Sequence, residues 1–484
     1  MTECIANQVS KQGQMTLDLG LGKQIVAGFD GGLISSDGGL LLLRKADERL
    51  ELTKLAAFCI RDERRPDLVK HPLVELLQQR IYAIAAGYED CNDAAVLRDD
   101  AMHKLALGKL PEDAGLASQP TLSRFENGVD ETALKALNAL LVHTYIRRNR
   151  RRPKVIRLAI DTSCDEVHGY QQMSFWNGFY GTYCYVPLFI FDHDGFPLAS
   201  LLRQGNAGPG EGALRMLRGV VHNLRLAYPG VRIEVTADAA FALPELYEFC
   251  ESNRVTYYIC IKWNAGLDYH TKDLVKDCKA LFDEFNGPTE SLRHGRMSEE
   301  AAYRAWRRNE ERKRFSTKEA GRMQEHFEEQ LAIRRFREFW YDAHGWSRKR
   351  RIIARVEYTA GGPDVRYVVT NADSGSPERI YEKYCLRARC ENWIKDLKNY
   401  LACDRTSCQE FKANQFRLLL HTFAYLLLWE VKQQSGLKQA TIETTRLQLL
   451  KIGVLVKESV RRVRLYLASQ HPWQQQFRTA WQRL

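Results

Sequence analysis

Short apolar runs alternate with amphipathic helical segments in the middle of the chain. Residues 155–160 (VIRLAI) and 231–237 (VRIEVTA) are mostly apolar and rich in β-branched residues, which is typical of buried strands. Residues 213–228 instead repeat apolar positions at helical spacing until Pro229 and Gly230, where a helix should end. The pattern predicts three strands, a helix, a strand, a short helix and a fifth strand, at 155–160, 183–191, 198–205, 213–228, 231–237, 243–252 and 255–263.

Helical periodicity dominates both ends of the chain. Residues 1 to about 150 carry several helical patterns, with one possible strand or hairpin that opens at Ile25. The longest apolar run, 416–429, is too short to span a bilayer and is predicted to be a buried core helix. We expect apolar helices from residue 411 to the C-terminus.

A charged and then β-rich stretch interrupts this pattern. Residues 299–339 are densely charged and predict exposed helices, whereas 349–358 (KRRIIARVEY) and 365–371 (VRYVVTN) predict strands. We interpret 266–375 as a β-rich insertion. The predicted fold class is therefore α/β: a core with the element order of an RNase H-like fold, interrupted by this insertion, with a helical N-terminal domain and a helical C-terminal region.

Charge adds a candidate partner. The 484 residues include 71 Lys and Arg against 60 Asp and Glu, a formal net charge of +11 that fits nucleic acid. The boundary segment 147–154 reads RRNRRRPK, and we expect phosphate contacts from it, with a solvated linker as the alternative. Its basic residues are Arg147, Arg148, Arg150, Arg151, Arg152 and Lys154.

A second segment has the pattern of a DNA-contacting helix. Residues 118–125 (SQPTLSRF) begin with Ser and Pro, which are helix-start signals. The segment fits the second helix of a helix-turn-helix, with Thr121, Ser123 and Arg124 facing DNA. An ordinary capped helix is the alternative.

Residues 381–400 predict a helix with an unusual polar stripe. Tyr384, Arg387, Glu391 and Lys398 are separated by two, three and six residues. At roughly 100° per residue, they fall within a stripe about 60° wide. An aromatic residue, two cations and a carboxylate are an odd set for a core-facing stripe. A solvated face with an Arg387–Glu391 pair at i, i+4 is the alternative explanation.

Two upstream carboxylates end predicted strands. Asp161 follows the first strand and Asp238 follows the fourth. Acidic groups that follow mostly apolar runs are costly unless they are solvated, paired or bound to metal. Because the first and fourth strands are neighbours in an RNase H-like fold, we expect Asp161 and Asp238 to converge.

The spacing Y-(2)-R-(3)-E-(6)-K resembles the signature of a large group of bacterial insertion-sequence DDE transposases. The resemblance implies that Asp161, Asp238 and Glu391 are the catalytic carboxylates. They would hold two Mg²⁺ ions, with Mn²⁺ as a substitute. It also implies DNA contacts beside the reacting phosphate from Tyr384, Arg387 and Lys398.

Short runs around these positions resemble one branch of that group, the insertion-sequence family numbered thirteen-eighty. The 237–241 run (ADAAF) departs from that family's A-D-S-G-F at Ala239 and Ala240. The runs are DTSCDEVHGYQ at 161–171, YVPL at 185–188, RQGN at 203–206, ADAAF at 237–241 and ENWIK at 391–395.

Two neighbouring features leave alternatives open. Asp165 is an alternative metal ligand to Asp161. The aromatic cluster Phe175, Trp176, Phe179 and Tyr180 is expected to pack in the core, with stacking on a flipped base as the alternative.

The resemblance implies a transposase that binds terminal inverted repeats, cleaves the element ends and joins them to target DNA by metal-dependent phosphoryl transfer. Its partners would be double-stranded DNA and a second copy, as a homodimer in the DNA complex. The N-terminal segment lacks the apolar region of a signal peptide, so we expect a cytoplasmic, nucleoid-associated protein without a membrane partner. A host nuclease of the same fold would cut without joining, and a non-catalytic DNA-binding regulator would tolerate loss of Asp161.

The domain prediction follows from these expectations. Residues 1–150 would form a helical DNA-binding and dimerisation domain, and 151–265 the first part of the core. The β-rich insertion would follow at 266–375, and the second part of the core with the C-terminal helices at 376–484.

Overall fold

A computed structural model describes residues 15–17, 19–20, 22–208, 210–286, 332–359 and 361–484. Of the exposed helices expected in 299–339, residues 299–331 lie outside the described residues. Residues 333–339 form a strand instead, contrary to that expectation. The described helices are α1 Leu40–Leu50, α2 Leu52–Cys59, α3 Leu73–Ala86, α4 Ala94–Leu97, α5 Ala101–Ala106, α6 Gln119–Asn127, α7 Glu131–Arg148, α8 Ala213–Ala227, α9 Pro244–Ser252, α10 Ala265–Tyr269, α11 Lys272–Asn286, α12 Pro377–Cys385, α13 Ala388–Lys395, α14 Phe411–Ser435, α15 Ile442–Thr445 and α16 Gln474–Arg483.

The strands follow the same chain order. They are β1 Met15–Leu17, β2 Ile25–Ala27, β3 Leu33–Ser35, β4 Val155–Thr162, β5 Asp165–Glu166, β6 Phe175–Asn177, β7 Thr182–Tyr185, β8 Leu188–Asp192, β9 Pro197–Leu201, β10 Arg232–Ala237, β11 Val255–Ile261, β12 Ile333–Tyr341, β13 Arg350–Thr359, β14 Gly362–Thr370, β15 Val454–Ser459 and β16 Arg462–Leu467.

The central sheet places the ends of β4 and β10 side by side. Within the described residues it has eight strands, in the order β12-β13-β14-β11-β10-β4-β8-β9. Strands β4, β10 and β11 are parallel, and β8 and β9 form an antiparallel hairpin beside β4. The predicted adjacency of the first and fourth strands is confirmed. Ile160 lies opposite Ala237, so Asp161 and Asp238 follow at one edge of the sheet.

The predicted β-rich insertion contributes strands to this same sheet. Strand β14 pairs antiparallel with β11, and β13 and β12 extend the sheet further. The physical reason is that β11 would otherwise present an edge of unpaired backbone groups, which β14 satisfies. Val368 and Val369 of β14 are fully buried, so the extension shares the core. The domain limits themselves remain a prediction.

Helix α14 is the buried centre of the helical part. It packs against α1, α3, α6, α7 and α16, so helices from both ends of the chain share one hydrophobic core. Leu418, Leu419 and Leu420 show no exposure, which confirms the core helix predicted at 416–429. No helix in the described ranges combines the length and apolarity needed to cross a bilayer.

The C-terminal region is not wholly helical, contrary to the expectation from the sequence. Strands β15 and β16 form a hairpin, and β15 also pairs with β3. The reason lies in the alternation of β15, where Val454 and Val456 are buried and Lys457 is exposed. This period of two favours a strand with one buried face.

A buried carboxylate ties the two ends of the chain together. Asp37 is 1% exposed and accepts hydrogen bonds from the Tyr88 hydroxyl at 2.8 Å and Lys451 Nζ at 2.7 Å. His103 Nε2 lies 3.4 Å from the same carboxylate. Burial by itself raises the pKa of Asp37, but the contacts with His103 and Lys451 outweigh burial and hold this pKa below its ordinary 3.8.

Asp37→Asn should lower the free energy of unfolding by about 1.5–3 kcal/mol at pH 7, because a charge-assisted buried hydrogen bond is weakened. Because the folded-state pKa of Asp37 is lowered, its ionised carboxylate stabilises the fold fully above the unfolded-state pKa. This stabilisation is lost as pH falls through the folded-state pKa. Urea unfolding at pH 7 and near pH 3 measures the difference. Asp30→Asn, at an exposed position, is the control. Equal losses at both pH values would contradict the assignment.

Candidate active site

Two aspartates lie at the same edge of the central sheet. Asp161 is the penultimate residue of β4, so the strand runs two residues further than predicted. Its side chain is 7% exposed, and its Oδ1 accepts a hydrogen bond from the Thr162 amide at 2.9 Å. Asp238 follows β10 and caps the short turn Ala239–Phe241, accepting from the Ala240 amide at 2.9 Å. These short-range hydrogen bonds fix both carboxylates at the strand ends.

The segment at 381–400 is not one continuous helix, which corrects the sequence interpretation. Helix α12 ends at Cys385, and α13 begins at Ala388. The Arg387 amide bonds to the Tyr384 carbonyl at 3.0 Å, and the Cys390 amide bonds to the Arg387 carbonyl at 2.8 Å. These i, i+3 bonds tighten the backbone relative to an α-helix. The positions predicted from 100° per residue therefore do not hold across Arg387.

Arg387 joins two of the predicted catalytic carboxylates. Its Nη1 donates to Asp161 Oδ2 at 2.8 Å, and its Nη2 donates to Glu391 Oε1 at 3.0 Å. The Arg387 side chain is 16% exposed and Glu391 is 50% exposed, so the pairing runs from the buried strand end to the surface. The Arg387–Glu391 pair at i, i+4, which was the alternative explanation of the polar stripe, is present. The same guanidinium also bonds to Asp161 on β4.

The electrostatics of Asp161 reflect a crowded acidic site. Burial raises the pKa of Asp161 to about 6, while Arg387 and the Thr162 amide oppose this shift and the Asp238 and Glu391 carboxylates add to it. Asp161 therefore lies in the field of both other carboxylates. A cation beside Asp161 offsets this repulsion, and in the described structure the Arg387 guanidinium lies between Asp161 and Glu391.

The donor set fits a hard divalent cation. Asp161, Asp238 and Glu391 offer only carboxylate oxygens, which suit Mg²⁺, Ca²⁺ and Mn²⁺ better than soft metals. A cation held by Asp161 and Glu391 would take over the charge neutralisation that Arg387 supplies. Because the pKa of Asp161 is raised, cation binding would also displace a proton from this carboxyl group. The affinity for the cation should therefore depend on pH.

A different acidic group has the tightest metal-like geometry among the described residues. Ligand atoms of Asp192, His193 and Asp194 lie within 4.8 Å of one another. Asp192 already accepts hydrogen bonds from the amides of Asp194 at 2.9 Å and Phe196 at 2.8 Å. These bonds shape the turn between β8 and β9, and we assign the group to that turn. Sequence analysis did not single it out, although Asp-His-Asp-Gly is a turn-like run.

Tyr384 lies beneath the site rather than on its surface. The residue is 8% exposed and belongs to a buried cluster with Tyr258, Ile380 and Tyr381. Burial raises the pKa of the Tyr384 phenol, and nearby Arg387 opposes the shift. Tyr384 therefore packs in this cluster next to Arg387, whose backbone amide bonds to its carbonyl.

Lys398 points away from Glu391, toward the loop that follows β4. It lies in the π-helical turn Asp396–Tyr400, whose wider backbone spacing differs from that of an α-helix. Its Nζ donates to the Cys164 carbonyl, and it lies 3.7 Å from Asp165 Oδ1 and 3.9 Å from Asp404 Oδ2. Lys398 therefore joins a second charge cluster beside the active-site strand.

Asp165 is the buried member of that cluster. It shows no exposure, and neither carboxylate oxygen has a hydrogen-bond partner in the described part of the chain. Burial raises the pKa of Asp165 to about 8, with Lys398 lowering it and Asp404 raising it. The side chain faces Lys398, so its position favours a role in holding Lys398 over the alternative of replacing Asp161.

The predicted DNA-contacting segments lie on the helical part. In α6, Arg124 is exposed, while Thr121 and Ser123 are half-buried. In the basic run, Arg147 pairs with Glu51, and Arg148 Nε donates to Glu430 at 2.6 Å and stacks over Trp429. Four further cations of the run are exposed: Arg150, Arg151, Arg152 and Lys154.

These arginines line a groove. Arg49 of α1 joins Arg147, Arg148, Arg150 and Arg151 around it. Its walls are the end of α7 and the following loop, so helix and linker act together. Phosphate-sized anions suit such a surface because several guanidinium groups face the same space.

A family match assigns this mixed α/β chain to the polynucleotidyl transferases of the DDE class. Residues 17–484 match the family described as transposase DDE domain group 1, and the chain belongs to that family of transposases. DDE transposases use divalent metal ions.

Other comparisons add less. A solved structure described as a piggyBac transposase synaptic complex with hairpin DNA is similar at 10% identity, with a TM-score of 0.39. The similarity covers 86% of this chain and 79% of that one. No curated protein matches the sequence.

Asp165→Asn should remove a loss of folding stability that grows as pH rises. Because burial raises the folded-state pKa to about 8, the folded protein holds the proton more tightly than the unfolded chain. Wild-type stability should therefore fall with rising pH, by at most about 1.4 kcal/mol per pH unit between about pH 4 and pH 8. The variant should lack this contribution.

Urea unfolding of both proteins at pH 5 and pH 8 measures this effect. Asp99→Asn, 68% exposed and outside this cluster, is the control and should keep the wild-type slope. Identical pH dependence in Asp165→Asn and wild type would show that Asp165 does not titrate in this range.

Proposed function

We propose that the protein is an insertion-sequence DDE transposase of the family numbered thirteen-eighty, which cleaves element ends and joins them to target DNA. The observation that carries the proposal is the convergence of Asp161 and Glu391 on Arg387, with Asp238 at the same sheet edge. The order β9-β8-β4-β10-β11 supports an RNase H-like core. The Y-(2)-R-(3)-E-(6)-K spacing supports the finer family assignment.

Asp161, Asp238 and Glu391 are the residues that would hold two Mg²⁺ ions, with Mn²⁺ as a substitute. Bound there, the ions supply an activated water or DNA 3′-hydroxyl and stabilise the leaving oxygen. The Asp161 backbone position is fixed by β4, and the Asp238 carboxylate is fixed by its cap. Both groups are thus preorganised, which favours one geometry for the reacting phosphate.

Arg387 has a second role once the carboxylates are neutralised. Its fork of donors matches a phosphate as well as a carboxylate, so it can turn from Asp161 or Glu391 to the DNA backbone. Tyr384 packs beneath it and limits its motion. Lys398, which bonds to the Cys164 carbonyl in the loop after β4, would contact the DNA backbone from that loop.

The helical part would bind the terminal inverted repeats. The arginine groove around Arg49 and Arg150 supplies non-specific phosphate affinity, and Arg124 on α6 is exposed for a direct contact. A homodimer in the DNA complex would supply two such surfaces for two element ends. We expect it to act in the cytoplasm on nucleoid DNA.

Asp161→Ala, Asp238→Ala and Glu391→Ala should each abolish cleavage, because each removes a ligand from the proposed metal site. Cutting and joining are measured with Mg²⁺ on duplexes that carry the inverted repeats flanking the gene. Asp194→Ala removes an exposed carboxylate of the β8–β9 turn and should leave both steps intact.

The same assay separates the proposal from its alternatives. A host nuclease would cut without joining ends, and a non-catalytic regulator would bind without Mg²⁺ and tolerate Asp161→Ala. Substantial cutting by any of the three variants would remove that residue from the catalytic set.

Replacing Arg150, Arg151 and Arg152 with Gln should flatten the salt dependence of DNA binding. For each phosphate that is no longer neutralised, the slope of log K against log salt should decrease in magnitude by about 0.9. Fluorescence anisotropy with a labelled duplex at several salt concentrations gives this slope. The control replaces Arg461, Arg462 and Arg464, three arginines of the β15–β16 hairpin, and thus removes the same charge. Equal slopes for the two variants would show that the linker is merely solvated.

A further inference from the structure

A hairpin beside the active site exposes aromatic side chains, contrary to the expectation that they pack in the core. Strands β6 and β7 form it, with a turn at 178–181. Phe179 is 88% exposed, and Trp176 and Tyr183 are each 55% exposed. Trp176 pairs with Tyr183 across the strands, edge to face at 5.5 Å, and Phe179 lies edge to face with Tyr180 at 4.9 Å. We call Trp176, Phe179, Tyr180 and Tyr183 the aromatic surface.

The base of this hairpin is held firmly. A Cβ on Gly205 would lie 2.2 Å from the Cys184 carbonyl oxygen and 2.4 Å from that of Phe175, so only glycine fits this contact. The Asn177 side chain donates to the Gly205 carbonyl at 2.7 Å. Buried Arg203 donates to the Val186 carbonyl at 2.8 Å. The aromatic surface is therefore carried on a rigid support.

Further contacts connect the hairpin to the catalytic strand. Asp165 of β5 pairs with Tyr185 of β7, so the hairpin continues from the loop that follows Asp161. The Tyr180 phenol hydrogen-bonds with the side chain of Thr162, the residue that follows Asp161 on β4. One end of the aromatic surface thus lies beside the strand that carries Asp161.

We propose that the aromatic surface stacks unpaired nucleobases of the DNA strand next to the phosphate that reacts at Asp161, a role that rests on the proposed function. Rings on a rigid hairpin offer flat faces without a large ordering cost, as stacking platforms for single strands do. Bases inside a duplex already have both faces covered, so the surface selects unpaired bases. The basic charge of the chain favours a DNA strand over an acidic protein as the occupant.

The test compares single-stranded and duplex DNA with the full chain. Trp176→Ala and Phe179→Ala should each bind a thymidine oligonucleotide of about 15 nucleotides roughly tenfold more weakly, with duplex affinity unchanged. The salt slope should stay at the wild-type value, because stacking releases no counterions. Trp176→Phe keeps an aromatic face and should restore most of the affinity.

Phe58→Ala is the matched control, because Phe58 is 79% exposed on α2 but lies on the helical part. Fluorescence anisotropy gives the affinities, and light scattering gives the molar mass of each variant. Equal weakening on duplex and single strand, or no weakening on the single strand, would overturn the proposal. A changed molar mass with unchanged DNA binding would also overturn it, because the surface would then join two copies of the chain.

The outcome is separable from the proposed function. If wild type fails to cut while the aromatic variants lose single-strand affinity, the transposase proposal fails and the binding surface stands. If wild type cuts and the aromatic variants bind the oligonucleotide normally, the stacking proposal fails and the transposase proposal stands.

Discussion

The arrangement of the active site depends on one guanidinium group. Arg387 lies in a tight turn between two helices, and from there it bonds to a carboxylate on the central strand and to one on its own helix. Without it, Asp161 would lie unpaired at a buried strand end near two other carboxylates, where burial already raises its pKa. The interaction therefore supplies the positive charge that holds Asp161 and Glu391 together.

Much of the core could be predicted because its signals are local. Apolar runs that end in Asp161 and Asp238, with helices between them, define parallel strands and place both residues at one edge. The signature spacing identified Glu391 and Arg387 as neighbours of that edge. The functional roles of these residues were suggested by resemblance, and the geometry then showed which of them meet.

Other features depend on contacts between distant segments, which periodicity does not reveal. Nothing at Leu386 or Arg387 marks a break, because neither glycine nor proline is present, yet the helix turns there. The aromatic hairpin has the composition of a core segment, but its neighbours cover only its base. Likewise, β14 looks like part of a separate unit until its pairing with β11 is known.

The packing of α14 has a consequence for synthesis on the ribosome. The helices α1, α3 and α7 bury their apolar faces against α14, which is made only after the whole central sheet. At bacterial-scale elongation rates, the early helices wait on the order of tens of seconds for their partner. A nascent chain with so many long-range contacts exposes apolar helix faces throughout that interval. Chaperone occupancy during translation should therefore be high until residue 435 has left the exit tunnel.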